Sequence, residues 1–75
     1  MICEWEVEDI KPGRVISKPG IGEKWTIGFL AFINGKKRYV LISNLDGMVT
    51  KPETKEELAE HLTKSALIPI ELLAD

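Results

Sequence analysis

Residues 24–44 read KWTIGFLAFINGKKRYVLISN, two strand-length runs rich in β-branched and aromatic residues on either side of Asn34-Gly35. Asn-Gly is the favoured dipeptide of a type I′ hairpin turn, because both residues tolerate positive φ and the turn's twist matches that of the strands. A two-residue turn fixes the register by setting Ile33 opposite Lys36. Carried along an uninterrupted ladder, that register puts Trp25, Ile27, Phe29, Ala31, Val40 and Ile42 on one face. Leu30, Phe32, Tyr39 and Leu41 fall on the other.

Outward from the hairpin, Asp46-Gly47 offers a second tight turn, which returns residues 48–51 as a third strand until Pro52 ends it. Val49 then joins the first face and Met48 the second. Residues 54–65 carry helix signals: Thr54 and Glu57 have capping-box spacing, Glu56 and Glu57 suit the positive end of the helix dipole, and Lys64 suits the negative end. Leu58, Ala59, Leu62 and Ala66 form one narrow apolar stripe, enough to cover one face of the meander. Upstream, Cys3, Trp5 and Val7 alternate with Glu4, Glu6 and Glu8 as a half-buried strand would, and residues 14–17 can pair across the turn Lys11-Pro12-Gly13. Downstream, Ile68, Ile70 and Leu72 alternate with Pro69 and Glu71, and the proline confines that run to a sheet edge.

These pieces predict one α+β domain over residues 1–75, in the order β-β-β-β-β-α-β. The expected architecture is a small curled antiparallel sheet, a β-meander that is partly barrel-like. One helix of the C-terminal half packs across it, and a short final strand lies at the edge. The chain is short for a self-sufficient core. Its only cysteine, Cys3, and only histidine, His61, give neither an internal disulfide nor a Cys/His metal cluster. Additional burial through a second copy is therefore expected, a homodimer or a complex with another protein.

Composition is in the ordinary globular range, 44% apolar and 29% charged with a net charge of −2. Charge alternates in blocks along the chain: −4 over residues 1–10, +6 over 11–38 and −4 over 39–75. No apolar run approaches the roughly 18 residues of a membrane span. The acidic start is the reverse of a secretory leader, and a lone cysteine fits a reducing compartment. A cytoplasmic protein without membrane contact is expected.

Catalytic chemistry finds little support. His61 lies off the apolar stripe with no second histidine, and the acids beside Cys3 oppose thiolate formation. The glycines at 20 and 22 precede a strand, whereas a phosphate-binding loop opens a helix. No catalytic residue, cofactor or metal is expected, although a dimer could pair two copies of His61. Two surfaces are candidates instead. Leu30, Phe32, Tyr39, Leu41 and Met48 form an apolar second face that suits a protein interface. Alternatively, Lys36, Lys37, Arg38 and Tyr39 combine cations with an aromatic ring, as small barrels that bind nucleic acid do.

Overall fold

The computed structural model describes residues 4–72 and shows an α+β fold in which one antiparallel sheet carries one helix. Its strands are β1 (Val15–Ser17), β2 (Lys24–Ile33), β3 (Lys36–Ser43) and β4 (Ile68–Pro69), with helix α1 (Lys55–Lys64) between β3 and β4. They lie in the spatial order β3-β2-β1-β4. The sheet is open rather than closed into a barrel. Val7–Asp9 and Ile70–Leu72 form short 3-10 turns.

The hairpin forms where the Asn-Gly pair requires it. Asn34 and Gly35 have φ of 53° and 74°, and Ile33 pairs with Lys36. The register then departs from the uninterrupted ladder. An irregularity between Leu30 and Ile33 sets two residues of β2 against one of β3, so Leu30 pairs with Arg38, Phe29 with Tyr39, and Ile27 with Leu41. A one-residue slip turns every later side chain of β3 to the opposite face. Trp25, Ile27, Phe29, Tyr39 and Leu41 consequently share one side, and Thr26, Gly28, Leu30, Arg38, Val40 and Ile42 share the other.

The helix covers the first of these sides. Leu58, Ala59 and Leu62 are its buried residues, as the stripe predicts, and they join Trp5, Ile10, Ile16, Ile27, Tyr39, Leu41 and Leu67 in one core. Both halves of the capping box form: Thr54 Oγ1 accepts from Glu57 N–H at 3.2 Å, and Glu57 Oε1 accepts from Thr54 N–H at 2.9 Å. At the other end, Ala66 adopts φ 57° while Ala66 N–H donates to Thr63 O and Leu67 N–H donates to Leu62 O. That is the Schellman arrangement, with alanine where glycine is usual.

Two expected strands are absent as ladders. Trp5 and Val7 do not lie in a strand; Glu6 N–H donates to Asp9 Oδ2 at 2.9 Å and the chain coils into the 3-10 turn. Cys3 lies outside the described residues. Residues 48–51 do not form a third meander strand either. Asp46 Oδ1 accepts from Met48 N–H, the loop widens so that Ser43 N–H reaches Met48 O, and only the isolated bridges Ile42–Val49 and Tyr39–Glu53 remain. Thr50 completes the edge by accepting Leu41 N–H through Oγ1 and donating its own N–H to Leu41 O.

Candidate interaction surfaces

The β2 slip divides the five residues expected to form one apolar face. Tyr39 and Leu41 are 4% and 3% exposed, in the core on the helix side. Leu30 and Met48 are 40% and 68% exposed. The side chain of Phe32 lies outside the described residues. The expected seam is thus not one surface, because the bulge moves the β3 residues, and not those of β2, beneath the helix.

A different apolar surface replaces it. On the helix-free side, Leu30 and Ile42 line up with Val40, and Val49 is bridged to Ile42, so its side chain faces the same way. Gly28 lies in the middle of this face. A Cβ there would stand 2.9 Å from Ile42 Cδ1 and 3.3 Å from Val40 Cγ2. Its absence lets those two side chains lie against the β2 backbone, which keeps the face low. Val49, at 57% exposure, and Met48 continue the apolar surface past the sheet edge.

The four residues of the nucleic-acid expectation are also divided. Tyr39 is buried: its ring meets Phe29 edge-on at 5.5 Å, and Lys55 Nζ lies 5.6 Å from its centre. It offers no open face on which a base could stack. Lys36 and Lys37 are exposed on the returning strand beside Lys55. Arg38 leaves the strand on the helix-free side by register, but its side chain lines a groove with Glu57 and Glu60 of the helix, and its guanidinium donates to Lys37 O.

Sequence reasoning missed one pairing. Glu53 Oε1 lies 3.0 Å from His61 Nδ1, in a groove of about 660 Å³ that Arg38, Lys51, Glu57 and Glu60 also line. No helical spacing rule connects residues 53 and 61 across a helix boundary. What brings them together is the double backbone pairing of Glu53 with Tyr39, at 2.7 and 2.9 Å, which lays the connector beside the helix. The other charges of this groove are largely engaged. Hydrogen bonds from Thr54 hold Glu57 below the ordinary carboxylate range, with the positive charges of Arg38 and Lys51 adding to the effect. Glu60 is lowered, and Lys64 raised, by their mutual contact at 2.7 Å. Among the described residues no hydroxyl or carboxylate bonds the second ring nitrogen of His61. The pair fastens the helix to its connector.

Among the described residues no cluster of three or more His, Cys, Asp or Glu side chains is arranged to hold a metal ion, and no helix is long and apolar enough to cross a membrane. No protein-family model, curated protein or solved structure matches the chain. The chemistry of these surfaces is therefore the ground for a functional reading.

Proposed function

We propose that this protein is a small non-enzymatic interaction module that self-associates as a dimer through the helix-free face of its sheet. The observation that carries this reading is the apolar continuity of Leu30, Ile42, Val49 and Met48 on and beside a face that the helix does not cover. Leu30, Met48 and Val49 are all at least 40% exposed. A stable protein interface removes about 800 Å² from each partner, about one sixth of the 4957 Å² surface of this chain. A low face centred on Gly28 suits close approach of a second sheet, and a surface of this composition is better buried than hydrated. The reading extends to a cytoplasmic module, consistent with its single cysteine, that acts by occupying a protein surface.

Sedimentation equilibrium tests this proposal. At about 100 μM, well above ordinary micromolar dissociation constants, the wild type should sediment as a dimer. Leu30→Glu and Val49→Glu, each placing a charge on the seam, should shift it to monomer. Glu8→Lys, on the exposed N-terminal turn, should leave the dimer intact. A wild type that remains monomeric at that concentration defeats the proposal.

A further inference from the structure

The geometry points to a second binding site, independent of the dimer seam: a groove for closely spaced phosphate groups between the start of β3 and the start of α1. Lys36, Lys37, Tyr39, Thr54, Lys55 and Glu56 line a groove of about 460 Å³. Its cations come from two elements that the sequence separates. Lys36 and Lys37 open β3, and Lys55 is the first residue of α1. The backbone pairing of Tyr39 with Glu53 holds the helix start beside the hairpin, so the positions of these lysines are fixed by the fold.

Charge selects the ligand class. Among the described residues no acid lies within ion-pair distance of Lys36, Lys37 or Lys55, whereas Lys64 and His61 each have one and Arg14 has two. Lys55 rests instead over the Tyr39 ring, a cation–π contact that leaves its positive charge uncompensated. Three lysines and one acid, Glu56, line the groove, a local excess of positive charge on a chain whose net charge is −2. Ammonium groups bind phosphate as point charges. The buried Tyr39 ring offers no stacking surface, so recognition rests on charge rather than on a base. Thr54 Oγ1 and the N–H groups of Thr54 and Glu57 are engaged in the capping box. The lysines, rather than the helix terminus, supply the attraction.

Two sources share this chemistry, a free polyphosphate chain and the phosphodiester backbone of a single-stranded nucleic acid. Titration calorimetry at low salt with inorganic tripolyphosphate, and separately with an oligothymidylate of about 15 nucleotides, distinguishes them. Binding of tripolyphosphate identifies the groove as a site for compact phosphates, and binding of the oligonucleotide alone identifies it as a backbone site. In either case Lys36→Ser/Lys37→Ser/Lys55→Ser should weaken binding by roughly tenfold or more and flatten its salt dependence. Glu56→Gln should strengthen binding a few-fold, and Lys11→Ser, distant from the groove, should leave it unchanged. Circular dichroism of each variant establishes that it is folded. Failure of both ligands to bind, or binding that survives loss of the three lysines in a folded variant, overturns the proposal. Neither result bears on the dimer, which is read by sedimentation without phosphate.

Discussion

Ala66 holds a conformation that its side chain opposes. Its φ of 57° lies in the left-handed region, where a Cβ crowds the following carbonyl at a cost of roughly 1–2 kcal/mol. The hydrogen bonds from Ala66 and Leu67 N–H to Thr63 and Leu62 O hold it there, and Leu67 is thereby turned into the core at 5% exposure. Ala66→Gly should therefore raise stability by about 1 kcal/mol, read as a higher midpoint in urea with an unchanged slope. A lower midpoint would mean that the alanine methyl contributes packing worth more than its strain. Nothing in the sequence marks this position, because the residue rule for a helix end looks for glycine or asparagine, and Ala66 instead completes an apolar stripe. Asn34-Gly35 is the opposite case, since its residue types announce the backbone they adopt.

At the scale of elements, what could be read from the sequence was what short-range chemistry decides. The helix runs within a residue of its expected limits, because Thr54, Glu57 and Lys64 are local signals. The hairpin turn and the edge position of the proline-containing last strand follow in the same way. The β2 bulge does not, since a bulge depends on which side chains of β3 fit beneath the helix, and that is a tertiary preference. The five residues expected to share one apolar face are divided mainly for this reason: Leu30 of β2 stays outside while Tyr39 and Leu41 lie inside. The capping box is testable as an element. Thr54→Ala should cost about 0.5–2 kcal/mol in chemical denaturation. The pH signature of the cap belongs to Glu57, whose carboxylate is held below its ordinary value of 4.5 chiefly by the Thr54 backbone N–H, a donor that alanine keeps. A depressed carboxylate stabilises the fold above its unfolded pKa, and that contribution is lost as pH falls through the folded value. The gap between wild type and Glu57→Gln, which removes the charge, should thus be widest near neutrality and narrow below about 4.5. A gap independent of pH would remove Glu57 from the cap.

At the scale of the whole molecule, the fold is closed by contacts between segments far apart in the chain. Trp5, read from its alternation as part of a strand, is a plug: its indole Nε1–H donates to Leu67 O at 2.7 Å across 62 residues. Its backbone N–H donates to Thr63 Oγ1 at 2.9 Å. Arg14 lies over the same ring at 5.5 Å, donates to Asp9 O, and is 3.7 Å from Glu71. One arginine thus joins the N-terminal turn, the start of β1 and the turn after β4. No local pattern encodes this closure, because the partners are main-chain carbonyls, a hydroxyl, a ring and charges brought together from separate segments. Trp5→Phe tests it. The substitution keeps an aromatic ring but removes the indole donor, leaving a buried carbonyl unpaired at about 1–3 kcal/mol, together with a gap where the larger ring stood. The loss should be regional. Strand β4 and the last turn of α1 depend on Trp5 directly, and β1 depends on β4 through the Ile16–Pro69 and Ser17–Ile68 pairs. The β2–β3 hairpin has its own turn and its own ladder. Native-state hydrogen exchange of the variant should show protection falling together at Ser17, Leu67 and Ile68, while Val40 and Ile42, whose amides face β2, lose less. Uniform loss across both groups would mean that the molecule unfolds as one unit, and an unchanged midpoint would mean that the Trp5–Leu67 bond does not hold the ends together.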